Sequence, residues 1–283
     1  SDPRQRGGAL PHVDFLAKLN APRDIFGKKM KGCFGTLRGR GLMRLSDFKA
    51  LTFDVYGTLI DWESGMIAGL KPLTDQMTPV PSRDTVLEAH AFYESTCQRY
   101  TPTKDYREVL ATVYKRLAEE WGLSASWDAA EVYGQSVEHW PAFPDSAEAL
   151  AYLKDHFKLI VLSNVDNASF AYSDAKLGRP FHATYVAGDI GSYKPDPCNF
   201  HYMLEHLGRI GIEAGDVLHT AESMFHDHGP ANRHGLANCW IYRRHDKEGF
   251  GATMNPGEMP SYDMMFHSMA ELVVAHKAEL TAG

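Results

Sequence analysis

The stretch Ala50-Leu51-Thr52-Phe53-Asp54-Val55, running straight into Tyr56-Gly57-Thr58, decides the fold. A short apolar run that ends abruptly in a carboxylate and a glycine turn reads as a parallel strand buried on both faces. Four more such runs follow: Leu159–Leu162, Ala183–Val186, Asp216–Thr220 and Cys239–Tyr242. Helix-length segments separate the later ones. Strands alternating with helices predict an α/β fold with a parallel, doubly wound sheet.

The gap between the first two strands breaks that alternation. In 104–121, Tyr106, Val109, Leu110, Val113, Tyr114, Leu117 and Trp121 recur at steps of three and four, which predicts an amphipathic helix. Thr85–Arg99 and Trp127–His139 read as two more. Asp145 with Glu148 reads as a capping pair opening the helix before the second strand. Helices inserted directly after the first strand would lie over the carboxyl edge of the sheet, where open α/β folds bind ligands. The expected division is therefore a core of 43–61 and 146–283 with a helical cap of 62–145. After Lys247, Gly249-Phe250-Gly251 and Asn255-Pro256-Gly257 read as turns, and a last helix is expected from about Ser268.

Each strand of interest ends in polar residues. The first gives Asp54, the second Ser163-Asn164, and Lys194 lies in Ser192–Pro197 after the third. The fourth gives Ala221-Glu222-Ser223 and then His226-Asp227. Singly, these are ordinary turn and cap residues, and Asp196-Pro197 is well explained as a helix start. In order, they should meet at one edge. A carboxylate serves as a nucleophile when a cation neutralises charge and a second group activates water. Lys194 can hold Asp54 ionised. Ser163, Asn164 and nearby backbone N–H groups can hold a substrate anion. Gly57 lets the chain turn beneath the nucleophile.

The bulk properties exclude several classes. The 283 residues carry 29 basic and 36 acidic side chains, a net charge of −7, which argues against nucleic-acid binding. No apolar run reaches the roughly 18–20 residues of a membrane span. Cys33, Cys97, Cys198 and Cys239 form no zinc-ligand spacing and read as free thiols of a reducing cytosol. Residues 1–42 differ: within 23–40, Arg23, Lys28, Lys29, Lys31, Arg38 and Arg40 lie among glycines, opposed only by Asp24. They are expected to be a poorly ordered extension or leader, with Met43 a natural start. His219, His226, His228 and His234 crowd around Glu222 and Asp227, so a transition-metal site is an open alternative. A binding protein that has kept the fold without activity is another.

Phe53–Leu59 (FDVYGTL), Leu162-Ser163-Asn164, Ser192–Pro197 (SYKPDP) and Ala221-Glu222-Ser223-x-x-x-Asp227 resemble the four ordered motifs of the haloacid dehalogenase superfamily, over roughly residues 48–245. The resemblance implies a Rossmann-like core, a cap domain and a covalent aspartyl intermediate. It makes Asp54 the nucleophile, Ser163 the hydroxyl, Lys194 the cation, and Glu222 with Asp227 the acidic pair.

Phosphatases of that superfamily place a second aspartate two residues after the nucleophile, as acid and base for the leaving oxygen. Here that position is Tyr56, and a phenol with a pKa of about 10 protonates an alkoxide poorly at neutral pH. Halide needs no such acid. With Asn164 after Ser163, the pattern looks like the L-2-haloacid dehalogenases. The implied reaction turns short 2-haloalkanoic acids into 2-hydroxy acids without a cofactor. Asp227 would activate water with help from Lys194 and Asn164, and N–H groups near Val55 and Tyr56 would stabilise the oxyanion.

The expected substrate contacts are Tyr56, Thr58, Trp62, Tyr93 and Arg99. Arg83 and Arg99 are candidates for the halide-binding arginine of those relatives. Phe92 and Trp140 are further aromatic candidates for a halide pocket. The alternative is a phosphatase in which Asp54, Glu222 and Asp227 hold Mg²⁺, an ion suited to hard oxygen ligands. The expected partner is a small 2-haloacid in the cytoplasm, with no nucleic acid and no membrane. The resemblance also allows a homodimer.

Overall fold

The computed structural model describes residues 43–282; the expectation for residues 1–42 lies outside them. Six strands form one parallel sheet in the order β3-β2-β1-β4-β5-β6. They are β1 (Ala50–Phe53), β2 (Lys158–Ser163), β3 (Ala183–Val186), β4 (Val217–Ala221), β5 (Ala237–Ile241) and β6 (Met264–Phe266). The five expected strands are present with ends shifted by one or two residues. The sixth is an addition at the sheet edge. It is three residues long and only partly buried, too short and too exposed to stand out as an apolar run.

β1 lies between β2 and β4, with Phe53 opposite both Val161 and Thr220. That register brings the carboxyl ends of all three strands to one level. The chain order reverses at β1, which opens a crevice above its carboxyl end.

The sheet is covered on both faces, as the apolar strands require. Leu51, Phe53, Leu159 and Val161 face α5 (Ser146–Leu153) and the last helix, α10 (Met269–Ala282). Ala50, Ile160, Leu162 and Val217 face Phe200, Met203 and Leu207 of α8 (Pro197–Arg209). The shorter helices α6 (Asn167–Lys176), α7 (Ala187–Ile190) and α9 (Gly229–Arg233) complete the crossovers.

Between β1 and α5 the chain builds α1 (Trp62–Thr74), α2 (Arg83–Tyr100), α3 (Tyr106–Glu120) and α4 (Trp127–Gln135). The stripe expected in α3 is its buried face, from Tyr106 through Leu117. The helix expected over 127–139 stops at Gln135 and continues as a tighter turn, Ser136–His139.

Asp145 precedes α5, but its side chain does not cap that helix. Its carboxylate pairs instead with Arg243 (2.9 Å) and accepts from the Ala270 N–H (3.1 Å). The charge-assisted bond to the guanidinium turns the carboxylate away from the first turn of α5. Asp196 does cap α8, accepting from the Cys198 N–H at 2.8 Å.

The loop after β5, which carries the turns expected after Lys247, also clamps the inserted helices. Arg244, 4% exposed, grips both Glu63 oxygens in α1 at 2.7 Å and Asp84 in α2 at 3.0 Å. Gly251 packs directly on this pair with φ +59°, and a Cβ there would lie 1.9 Å from Glu63 Oε1. Only glycine fits. No helix among the described residues is long and apolar enough to cross a membrane.

Candidate active site

Asp54 leaves the end of β1 with its N–H still bonded to the Thr220 carbonyl (3.1 Å). Gly57, at φ +94°, turns the chain back beneath it. The turn places Thr58 where its hydroxyl donates to Asp54 Oδ2 at 2.8 Å while accepting from the Glu222 N–H at 2.9 Å. Both bonds together fix which way that hydroxyl points.

Lys194 comes from the loop between α7 and α8. Its ammonium is 1% exposed and donates three times: to Asp54 Oδ1 (2.9 Å), the Leu162 carbonyl (2.9 Å) and Asp227 Oδ1 (2.6 Å). An ammonium has three hydrogens, so none is free for substrate. Its backbone is held by Asn164, whose Nδ2 donates to the Lys194 carbonyl (2.9 Å) and whose Oδ1 accepts from the Lys194 N–H (2.6 Å). Asn164 therefore positions the lysine, and its carboxamide is committed to that role.

Asp227 lies in a wide π-type turn, Met224–His228, opened by Ser223, whose Oγ accepts from the His226 N–H at 3.0 Å. Fully buried, Asp227 receives Lys194 and His219 Nε2 (2.9 Å) on the same oxygen, Oδ1. His219 in turn meets the Thr52 hydroxyl at 2.8 Å. Asp227 Oδ2 and Ser163 Oγ are buried without a partner. Both residues line the cavity, so its wall holds one unpaired acceptor and one unpaired hydroxyl.

The electrostatics follow. Burial pushes the Asp54 carboxyl up, opposed by the Lys194 ammonium. Burial alone would also raise Asp227, but Lys194 and His219 hold it below the usual carboxylate range. Burial would lower Lys194, yet Asp227 and Asp54 keep it above its ordinary value. Burial, then Glu63 and Asp54, pushes Glu222 up to about 8.

The cavity is lined by Asp54, Tyr56, Trp62, Ser163, Asn164, Lys194 and Asp227, together with residues that no sequence motif marks. Of these newcomers Glu94 and Gln98 come from α2, Tyr106 from α3, and Thr253 from the loop after β5.

Tyr93 and Arg99 do not reach the cavity. The buried face of α2 is Val86, Leu87, His90, Ala91, Glu94 and Gln98; neighbours of Glu94 and Gln98 in sequence point away from it. Tyr93 lies beside Glu120 on the outer side. Arg99 is exposed and sits over the Tyr100 ring. Arg83 is also on the surface, 3.6 Å from Glu63. Phe92 is exposed, and Trp140 stands edge-on behind Tyr56 and Tyr106. The signal for Glu94 and Gln98 was the helical phase set by Val86 and His90. A polar residue on that phase reads as surface until the pocket is seen.

Tyr56 turns its hydroxyl away to Ser173 Oγ (3.0 Å), and burial raises its pKa well above an ordinary phenol. It walls the pocket and is not poised to give up a proton.

The four histidines do not converge. His228 bonds Asn238 and the Ala221 carbonyl, His234 the Pro230 carbonyl, and His219 is fully buried behind Asp227. Among the described residues no three His, Cys, Asp or Glu side chains form a cation-binding group. Asp54, Glu222 and Asp227, the set expected to hold magnesium under the phosphatase alternative, form no such group.

His226 lines the cavity, and burial pushes its imidazole down to about 4. In the unfolded chain a histidine titrates near 6.5. Between those values the unfolded state binds more protons, so the contribution of His226 to stability is present above pH ~6.5 and is lost as pH falls towards 4. The loss is up to about 3 kcal/mol. Urea midpoints at pH 7.5 and 4.5 should therefore differ less in His226→Gln than in the wild type. An equal drop in both proteins would show that His226 is not the buried neutral imidazole described.

A family model of haloacid dehalogenase-like hydrolases matches residues 48–220. The chain is 22% identical over 205 residues to (S)-2-haloacid dehalogenase 4A of Burkholderia cepacia, across 71% of this chain and 85% of that relative. The L-2-haloacid dehalogenase of Xanthobacter autotrophicus superposes with a TM-score of 0.65 at 18% identity, over 80% of this chain and 97% of that one. Magnesium-bound YfnB of Bacillus subtilis gives 0.63 at 19% identity, over 81% and 99%. These structural likenesses establish the fold.

Proposed function

Because this chain belongs to the haloacid dehalogenase-like hydrolases, we propose that it hydrolyses the carbon–halogen bond of short 2-haloalkanoic acids through an ester on Asp54. The observation that carries this reading is Tyr56. It stands two residues after the nucleophile with its hydroxyl bound to Ser173, so the site has no proton donor there for an oxygen leaving group. A halide leaves without one.

An Asp54 oxygen attacks C2 opposite the halogen; the C–O bond forms as the C–X bond breaks, and halide departs with the electron pair. Ser163 Oγ, unpaired in the cavity, receives the substrate carboxylate. The leaving halide departs beside Trp62, which lines the cavity, in place of an arginine. Water then attacks the Asp54 carboxyl carbon. Asp227 Oδ2 takes one of its protons and returns it to the departing C2 oxygen, releasing the 2-hydroxy acid. The product hydroxyl oxygen thus comes from Asp54, and water restores the carboxyl group. N–H groups at Val55 and Tyr56 would stabilise the developing oxyanion. Residues 62–145 act as the cap over the core of 43–61 and 146–283. No metal takes part.

The test combines halide release from both 2-chloropropanoate enantiomers with one turnover in oxygen-18 water. Halide release with label retained in Asp54 is expected. Magnesium-dependent phosphate release from a phosphate ester, without halide release, would overturn the proposal.

A further inference from the structure

The cavity is unequal in its two halves. The sheet half holds Asp54, Asp227 and Lys194. The helical half adds a third carboxyl group, Glu94, 5% exposed, and no cation. Glu94 is held in place. Gln98 Nε2 donates to its Oε1 at 3.2 Å, the Tyr106 hydroxyl lies against it, and His90 Nδ1 stands 3.5 Å from Oε2. Gln98 and Tyr106 orient the carboxyl group, and no lysine or arginine lines the cavity on that side.

The balance of charge then matters. Three carboxyl groups face one ammonium, and that ammonium has spent all its hydrogens on Asp54, Leu162 and Asp227. A plain 2-haloalkanoate brings a further negative charge to such a pocket. Buried like charges repel strongly, and a cation within a few ångströms relieves them. A substrate donor would also satisfy Asp227 Oδ2, an acceptor otherwise left without a partner.

We infer that Glu94 makes this pocket selective for 2-halo acids whose far end carries a hydrogen-bond donor, an ammonium above all and a hydroxyl next, over simple 2-haloalkanoates. The inference rests on the dehalogenase reading and names its substrate class. The substrate carboxylate is received at the sheet half by Ser163. The donor group extends to Glu94 between Gln98 and Tyr106. A zwitterion adds no net charge to the cavity, whereas 2-chloropropanoate adds one. Glu94 is thus a specificity residue, not part of the bond-breaking machinery.

The experiment compares halide release from 2-chloropropanoate, 2-chloro-3-hydroxypropanoate and 2-chloro-3-aminopropanoate at neutral pH, with enzyme-free release subtracted. The expected kcat/KM order is amino, hydroxy, unsubstituted, with the first at least about tenfold above the last. In Glu94→Gln that ratio collapses towards one. Should Glu94→Gln fail to fold, Glu94→Asp withdraws the charge by one methylene, and the preference should shift to the longer 2-chloro-4-aminobutanoate. Halide release from all three acids without preference, or a preference that survives Glu94→Gln, overturns the inference alone. No halide from any of them overturns the dehalogenase reading and the inference with it.

Discussion

Asp54→Asn should reduce halide release by at least roughly a thousandfold while the protein stays folded, because an amide is a poor nucleophile and no other group in the cavity replaces it. Two features separate loss of chemistry from loss of structure. The substitution removes one of two buried carboxylates on Lys194 and leaves the pair with Asp227 intact. It also removes a carboxyl group whose burial opposes ionisation. The thermal midpoint should therefore hold or rise, as is common when an active-site charge is deleted. Halide assays beside a thermal melt check both halves. Substantial residual turnover would place the nucleophile elsewhere.

Lys194→Met is the opposite case, costing both activity and stability. The side chain is almost fully buried and bridges Asp54 and Asp227. Removing it strands two carboxylates and the Leu162 carbonyl, at about 3–5 kcal/mol near neutral pH. The pH dependence gives the signature. Without the ammonium, the folded pair binds a proton more tightly than the unfolded chain, so the variant gains as pH falls and loses as pH rises through the raised folded value. In the wild type, Asp227 is held low; its contribution is present above the ordinary carboxylate range and fades on acidification. The stability gap between the two proteins should narrow from pH 7 to pH 5. Urea unfolding at both values measures it. A gap that stays constant would mean the ammonium does not neutralise the buried carboxylates. Turnover should fall about as far as in Asp54→Asn, since a protonated Asp54 cannot attack.

What was legible in the chain follows from what drives each element. Interior parallel strands must be apolar on both faces, so β1, β2 and β4 stand out, and the polar residues at their ends mark the site. Asp54, Ser163 and Asp227 were visible for that reason, and Lys194 through the Ser192–Pro197 motif that follows β3. β6 was not, because a three-residue edge strand needs no apolar run. Asp145 had the spacing of a helix cap, but Arg243, distant in sequence, claims its carboxylate. Tyr93 and Arg99 suit halide binding by residue type but lie off the buried phase of α2; Glu94 and Gln98 lie on it. His219 reads as one histidine of a crowded group. Its role emerges only where β4 sets it between Thr52 and Asp227.

Arg244 belongs by sequence to the loop after β5, yet its guanidinium is spent on Glu63 and Asp84 of the inserted helices. Such a grip makes cooperativity a shared property. Swinging those helices aside would strand a buried cation and at least one buried anion together, a cost of several kcal/mol. The lid and the sheet should accordingly melt in one transition, and partial opening should stop short of breaking this contact.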